Sequence, residues 1–244
     1  MNMKVAEQRT TEWQDIQQKI GLSSFALKMI AILTMTIDHM GFILFPQAFW
    51  MRGIGRLAFP IFCFTLTEGF SHTHDLKRYI QRMLVVGLLS EIPFNLAESG
   101  QIFSIEHQNV FFTLLLGLLT MMAYDAVMNQ SRWSVWKRTA LSTIAILAGM
   151  FAAEFLSTDY GALGVLCIMV FYLFRRSRIQ QVVFGCLAFV WWEWAAVFAF
   201  VPIFYYNGKR GFGMKYFFYA FYPVHLLILY LIVYKMGYGS VSAI

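Results

Sequence analysis

The stretch FALKMIAILTMTIDHMGFILF (residues 25–45) decides the fold class, because it is a nearly unbroken apolar run. About 20 such residues, rising about 1.5 Å each, cross a hydrocarbon core roughly 30 Å thick. Within the run lie Asp38 and His39. An Asp near the middle of a membrane helix costs about 2.5–3.5 kcal/mol on insertion scales. The sequence therefore predicts a membrane-spanning helix whose ionisable pair needs a partner or a function.

The composition extends this conclusion to the whole chain. Of 244 residues, 59% are hydrophobic and only 13% are charged, whereas about a quarter of the residues in soluble domains are charged. The net charge of +6 comes from basic residues in short clusters between apolar runs. Such clusters are typical of cytoplasmic membrane loops and do not indicate nucleic-acid binding. The composition predicts a polytopic membrane protein.

Further apolar runs divide the chain into membrane segments. We predict an all-α, polytopic transmembrane helix bundle with eight or nine segments, at 25–45, 53–70, 79–97, 110–128, 139–157, 160–174, 180–206 and 216–236. These segments form one domain over residues 25–240. Residues 1–24 are expected to be a polar tail or an interfacial helix, since Trp13, Ile16 and Ile20 fall at helical spacing.

Basic residues set the expected orientation. They lie near the chain start and in alternate connections, whereas connections 98–109 and 157–160 contain no Lys or Arg. The N-terminus is therefore predicted to face the cytoplasm. Region 180–206 is either one tilted span or two short segments broken near residues 191–194. The basic loop at 207–215 favours the broken form, which gives nine segments.

Several polar residues are predicted to share one depth in the outer half of the bundle. Such residues often line functional cavities in membrane proteins. The alternative is that they form ion pairs between helices, for example Asp38 with Arg56. The predicted level contains Asp38, His39 and Arg56, and beside them the expected substrate-cavity residues Glu91, Asn95, Asn109, Asp159 and Tyr160.

Two other groups are candidates for a site. In the last segment His225 follows Tyr222 by three residues and shares its helical face, although a buried His satisfied by a hydroxyl would show the same spacing. A basic cytoplasmic rim would suit the phosphates of a nucleotide-like cofactor, with an ordinary positive-inside loop as the alternative for Lys77 and Arg78. The rim residues are Arg82, Lys209, Arg210, Lys77 and Arg78. The three cysteines lack metal-ligand spacing, so no metal site is predicted.

A series of short motifs carries a resemblance to a known family. IDHMG, RGIGRLAFPIFCFTLTEGFSHT, LSEIPFNLA, QNVFFTLLLGLL, DYGALGVL, YNGKRG and FYPVHLLILYL occur in that order over residues 25–236. The chain resembles the TraX family, which is named for a conjugation protein that N-acetylates pilin. The resemblance implies a membrane acetyltransferase that uses acetyl-CoA as co-substrate. The family patterns fall on Asp38, His39, Gly55, Arg56, Pro60, Tyr160, Gly161, Tyr222 and His225.

The resemblance leads to a specific expectation about mechanism. Acyl transfer needs a base and a donor to the carbonyl oxyanion. We expect His39 to be the base, with Asp38 orienting it or pairing with Arg56. Arg56, Tyr222 or His225 would stabilise the oxyanion, and the acceptor would be a pilin-like peptide N-terminus or a glycan. The alternatives are a proton-coupled transporter and a non-catalytic factor in pilus or secretion assembly.

Overall fold

The computed structural model describes residues 21–236, so the predicted interfacial helix within residues 1–20 and the domain end at 237–240 lie outside it. The described chain is all-helical, apart from two isolated β-bridges. Its helices are α1 (Ser24–Ile43), α2 (Phe49–Gly55), α3 (Ala58–His72), α4 (Leu76–Ser99), α5 (Val110–Met128), α6 (Val135–Phe155), α7 (Gly161–Leu173), α8 (Arg178–Val190), a 3₁₀ helix (Trp194–Ala199), α9 (Phe200–Phe204) and α10 (Lys215–Lys235).

Polar capping residues fix where several of these helices begin. A side-chain oxygen at such a position accepts a hydrogen bond from an N–H group that the first helical turn leaves unpaired. Five helices begin in this way, capped by Ser23, Asp75, Asn109, Ser134 and Ser177. Each of these residues lies where a polar connection gives way to an apolar run, which is why the run boundaries predicted most helix starts to within a few residues.

The connections lie at two ends of the bundle. At the proximal end, the backbone N–H of Leu22 donates to the carbonyl of Tyr205 at 2.9 Å. At the distal end, the N–H of Gln108 donates to the carbonyl of Ser157, also at 2.9 Å. The proximal end contains residues 21–25, 72–76, 129–134, 174–177 and 205–214, and the distal end contains 44–57, 100–109, 156–160 and 191–193.

The apolar region 180–206 is broken, as the basic loop that follows it predicted. Helix α8 ends at Val190, a turn follows, and the 3₁₀ helix and α9 pack back against α8. Residues 205–210 then lie beside the start of α1, where the N–H groups of Ser24 and Phe25 donate to the carbonyls of Lys209 and Arg210. The basic loop therefore shares the proximal end with the first residues of α1.

The predicted segment 53–70 is wrong at its start. Residues 49–55 form the separate helix α2, and α3 begins only at Ala58. Pro60 lies in the first turn of α3, where its missing N–H removes no helical hydrogen bond. Helix α2 packs closely on α1, because a β-carbon at Gly41 would lie 2.7 Å from Cβ of Met51. This crossing brings Arg52 and Gly55 against the polar part of α1.

Four described helices are long and apolar enough to cross a membrane: α1, α5, α6 and α10. In helix α6 only Ser142 and Ala153 are fully buried, and large apolar side chains such as Ile144, Leu147 and Phe151 are exposed. A water-soluble protein of this size rarely exposes so large an apolar surface. The shorter helices α7, α8 and α9 are apolar as well. The protein is a helical membrane protein.

Candidate functional site

A pair of histidines joins α1 to α10 in the distal half of the bundle. Nδ1 of His39 lies 2.7 Å from Nε2 of His225, and the two ring centroids are 4.9 Å apart. His225 is 6% exposed. The rings of both histidines lie edge-on to the ring of Tyr222. The sequence had suggested a hydroxyl as an alternative partner for His225. In the structure the two ring nitrogens of His225 contact the imidazole of His39 and the backbone carbonyl of Phe221 instead.

The hydrogen bonds of His225 assign the protons of both rings. Nδ1 of His225 lies 2.9 Å from the carbonyl oxygen of Phe221, which can only accept. This nitrogen therefore carries the proton, and Nε2 of the neutral ring is an acceptor. Nδ1 of His39 then donates to Nε2 of His225. The assignment leaves Nε2 of His39 without a proton, so this atom is able to act as a base.

Asp38 forms a different ion pair from the one the sequence suggested. Its Oδ2 lies 2.7 Å from Nη1 of Arg52, whereas Nε of Arg56 lies 3.3 Å from Oε2 of Glu193. Arg56 also interacts with the hydroxyl of Tyr160. Sequence reasoning missed Arg52 because α2 was not recognised as a separate helix. Glu193 lies among tryptophans in the stretch WWEW (residues 191–194), and nothing in the sequence indicates its partner.

These residues surround a cavity of about 180 Å³ that opens at the distal end. We call it the histidine cavity. Its walls come from α1, α2, α3, α4, α5, α10 and the distal connections. The polar residues that line it are Asp38, His39, Arg52, Arg56, Glu98, His107, Asp159, Tyr160 and Tyr222. Helices α1, α2 and α4, with the distal connections, thus bring two arginines, three carboxylates and an unprotonated imidazole nitrogen to one space, an arrangement suited to acid–base chemistry.

A second histidine, His107, lies at the distal mouth of this cavity between two carboxylates. Its Nδ1 is 2.9 Å from Oε1 of Glu98, and its Nε2 is 3.9 Å from Oδ1 of Asp159. The hydrogen bond that Nδ1–H of His107 donates to Glu98 raises the pKa of His107 above its usual 6.5. Burial raises the pKa of Asp159 to about 6. Sequence reasoning missed Glu98 and His107, although a lone His in an otherwise acidic connection was a usable signal.

The contacts of His107 with Glu98 and Asp159 predict how the stability of the folded protein depends on pH. A raised His107 pKa means that its stabilising contribution is complete below about pH 6.5 and disappears as pH rises through the folded-state value. We expect the Tm gap between wild type and His107→Gln, measured by thermal unfolding in detergent, to shrink between pH 6 and 8. A gap that widens over this range would contradict the assigned interaction. Glu106→Gln, a change in the same connection, is the matched control and should show no such trend.

Three residues predicted to line the cavity instead fasten α4 to the start of α5. The side chain of Glu91 accepts hydrogen bonds from the backbone and side-chain nitrogens of Asn109. Asn109 also donates to the carbonyl of Gly87 at 2.9 Å, and Asn95 lies within hydrogen-bond distance of Glu91. Asp159 and Tyr160, the other two predicted cavity residues, do line the cavity.

The predicted cofactor rim divides into two groups. The guanidinium carbon of Arg82 lies 5.7 Å from the ring centroid of Tyr79, and the Arg82 side chain forms a hydrogen bond with Tyr219. Its Nε atom is buried without a hydrogen-bond partner in the described chain. The loop that carries Lys209 and Arg210 pairs with α1, and Gly211 allows this approach because its φ is +70° and a β-carbon would meet Ser23. Gly211 thus lets the loop pack closely against the start of α1. Lys77 and Arg78 are exposed, and Arg78 pairs locally with Asp75.

Among residues 21–236, no group of three or more His, Cys, Asp or Glu residues is arranged to hold a metal ion. The three cysteines are unpaired, and Cys63 and Cys167 are buried in the core.

The model of the TraX protein family matches residues 23–233. The chain belongs to the TraX family. A probable fimbrial assembly protein, FimC of serogroup H1, from Dichelobacter nodosus is 31% identical, covering 88% of this chain and 97% of the relative. Protein TraX of Escherichia coli is 27% identical over 62% of this chain and 56% of its own length. No solved structure matches.

Family membership agrees with the motifs that suggested it, and the structure shows what some of them do. IDHMG supplies Asp38 and His39, RGIGR supplies the close crossing at Gly55 and the cation Arg56, and FYPVH supplies Tyr222 and His225. Sequence-distant TraX motifs therefore meet at the histidine cavity. The YNGKRG motif lies at the proximal end, beside the start of α1.

Proposed function

We propose that this TraX-family protein is a membrane acetyltransferase that moves acetyl from acetyl-CoA to the terminal amine of a pilin-like peptide. The observation that carries the proposal is the His39–His225 hydrogen bond at 2.7 Å, which leaves Nε2 of His39 available as a base beside a polar cavity. A neutral imidazole nitrogen can accept a proton from the attacking group during the reaction.

The reaction assigns a task to each group. The neutral acceptor amine attacks the thioester carbonyl carbon, and a C–N bond forms. Nε2 of His39 removes a proton from this nitrogen. When the C–S bond breaks, the same proton passes to the departing CoA sulfur, so no net proton stays on the protein. His225 holds the His39 ring in the required tautomer and spreads the transient positive charge.

The cavity also contains groups that would stabilise the oxyanion. Arg52, Arg56 and the hydroxyl of Tyr222 are all on its lining. Donors aimed at a developing negative charge in a water-poor site are typically the largest contribution to such catalysis. Because Asp38 and Glu193 already pair with the two arginines, the site holds these cations in place before substrate arrives.

The distal mouth supports an amine as acceptor. Glu98 and Asp159 line it, and the connections around it contain no Lys or Arg over residues 98–109. An ammonium group is attracted to such a mouth and can lose its proton there before attack. A relative of this chain is named as a fimbrial assembly protein, which agrees with a pilin-like acceptor. An envelope glycan is the other acceptor class.

The placement of charge supports an orientation for this function. Clusters of Lys and Arg lie in or beside the proximal connections, at residues 77–82, 132–138, 175–178 and 209–215. The distal connections 100–109, 156–160 and 191–193 contain acidic residues and no Lys or Arg. By the positive-inside rule the proximal end faces the cytoplasm of the bacterial inner membrane. The chain passes between the two ends nine times from α1 to α10, which we propose as nine membrane segments. Acetyl-CoA would reach the proximal end and the acceptor the distal end.

A second candidate is a non-catalytic factor in pilus assembly. The hydrogen bonds by which Glu91 and Asn109 hold α4 against α5 favour this candidate. They show that some polar residues within the bundle have a structural role. Donor binding separates the two candidates, since only the acetyltransferase, or another CoA-using enzyme, needs a CoA site.

The experiment is thermal unfolding of the purified protein in detergent at rising CoA concentration. A ligand that binds only the folded state adds about 2.7 kcal/mol of stability at a hundredfold excess over its Kd. We expect Tm to rise progressively with CoA, but not with an equal concentration of AMP. A folded protein whose Tm does not respond to millimolar CoA would overturn the acetyltransferase and favour the assembly factor or a transporter.

A further inference from the structure

A second cavity of about 110 Å³ lies between α1, α3, α4, α5 and α10, on the proximal side of the histidine cavity. Its middle is apolar, with Ile32, Leu66 and Leu114 among its walls. It begins near Lys28 and Lys215, in the first turns of α1 and α10. The mechanism above makes no use of this space.

The two cavities are neighbours along the bundle. Four residues line both of them: Met35, Phe62, Val110 and Tyr222. Tyr222 also packs edge-on against the ring of His39. Movement of the Met35 and Phe62 side chains would therefore join the two cavities directly beside the proposed base. The path from Lys28 to His39 covers 11 residues of α1, or about 16 Å at 1.5 Å per residue.

Charge is distributed unevenly along this path. Lys28 and Lys215 line the proximal part of the second cavity, and its lining contains no carboxylate. Lys28 also lies close enough to Arg210 for the two cations to interact. Arg82 is held beside two lining residues, Tyr79 and Tyr219, and its buried Nε has no partner in the described chain. A cationic mouth thus leads into an apolar shaft that ends at Tyr222, whose ring packs against the imidazole of His39.

We propose that the second cavity is the donor channel, which holds the pantetheine arm of an acyl-CoA. The CoA phosphates would contact Lys28, Lys215 and Arg82, and the thioester would pass Tyr222 to reach His39. A long, slender, uncharged arm with an anionic head matches a narrow apolar shaft with a cationic mouth. The inference rests on the proposed function, and it explains how a cytoplasmic donor reaches a base in the distal half.

The channel predicts that donors with and without phosphates respond differently to the same substitutions. The double variant Lys28→Gln, Lys215→Gln should raise the KM for acetyl-CoA about tenfold or more, because it removes two charge-assisted phosphate contacts. The rate with S-acetyl-N-acetylcysteamine, a short thioester that lacks phosphates, should stay within about twofold of wild type. Lys137→Gln, which removes a proximal cation outside both cavities, should leave both donors unaffected.

The possible outcomes distinguish a failure of the donor-channel proposal from a failure of the acetyltransferase proposal. A parallel loss with both donors would mean that the double variant damages the fold or the site, and it would overturn the assignment of the two lysines to phosphate binding. An unchanged KM for acetyl-CoA alongside normal transfer would overturn the channel while leaving the acetyltransferase intact. A wild type that transfers acetyl from neither thioester would instead remove the proposed function, and the channel with it.

A blocking substitution gives an independent test. Thr65 lines the second cavity but not the first. Thr65→Phe should therefore weaken CoA binding more than tenfold, and it should leave unfolding cooperative. CoA binding that persists at wild-type affinity in a folded Thr65→Phe protein would overturn the channel.

Discussion

Replacing His39 with alanine is expected to lower the rate of acetyl transfer by about 10²–10⁴-fold, the usual contribution of a positioned base. CoA affinity should change little, because the proposed phosphate contacts are at the other end of the path. The measurement is the single-turnover rate with saturating acetyl-CoA and a peptide that has a free N-terminus. CoA binding by the variant, measured by thermal shift, verifies that the fold is intact.

The matched control is His72→Ala. His72 is exposed at the proximal end, where its Nδ1 contacts the carbonyl of Glu68, and its loss should leave transfer unchanged. His225→Gln should give an intermediate result, since glutamine keeps a polar partner for His39 but cannot share the transient charge. Full activity in a folded His39→Ala protein would rule out His39 as the base.

The second large effect is expected from one glycine of α2. A β-carbon at Gly55 would overlap the side chain of Asp38, so Gly55→Ala must displace either α2 or Asp38. Overpacking of this kind costs about 1–3 kcal/mol. Because the displacement also disturbs the Asp38–Arg52 pair in the cavity wall, we expect both a lower Tm and a loss of transfer activity.

Gly53, a second glycine of α2, provides a control, because the space around it is open whereas Gly55 is tightly packed. A β-carbon at Gly53 would meet no atom within 4 Å, and alanine favours a helix by about 1 kcal/mol relative to glycine. Gly53→Ala should therefore leave Tm equal to or above that of wild type, with activity retained. Equal effects of the two substitutions, in thermal unfolding and transfer assays run side by side, would contradict the close crossing of α1 and α2.

Much of the fold could be predicted from local sequence, because apolar runs and capping residues act over a few positions. The predicted run 110–128 has the same bounds as α5, and the basic loop at 207–215 correctly indicated a break near Trp191. The start of the second segment could not be found in this way. Residues 49–62 are mostly apolar on both sides of Arg52 and Arg56, and the separation of α2 from α3 depends on how α2 packs against Gly41 of α1.

Pairings between distant residues were harder to predict than the residues themselves. Asp38, His39, Tyr222 and His225 stood out because polar groups in apolar runs are costly. Which of them touch, however, depends on helix rotation and on parallel packing of α1 with α10. Asp38 pairs with Arg52 and not with Arg56, and Glu91 bonds Asn109 to hold α4 against α5. In both cases the side chain bonds the polar group that helix packing places nearest to it. His107 could be recognised as a site residue only once the structure showed that it pairs with Glu98.

The arrangement also explains why an acetyltransferase would place its base away from the donor's compartment. In the proposed mechanism, separate openings would let a cytoplasmic thioester and an acceptor from the other side meet at one imidazole. Met35, Phe62, Val110 and Tyr222 line both cavities and lie where the two cavities adjoin. The apolar constriction would preserve the membrane barrier while the thioester arm occupies the shaft.

The most direct test of the central claim is mass spectrometry of a pilin-like peptide after incubation with the purified protein in lipid nanodiscs and acetyl-CoA. The account predicts one acetyl group on the peptide N-terminus, formed by wild type and Gly53→Ala and nearly absent with His39→Ala. A peptide with a blocked N-terminus should stay unmodified. A folded wild-type protein that binds CoA but leaves peptide amines and glycan acceptors unmodified would contradict the assignment of acetyl transfer to the histidine cavity.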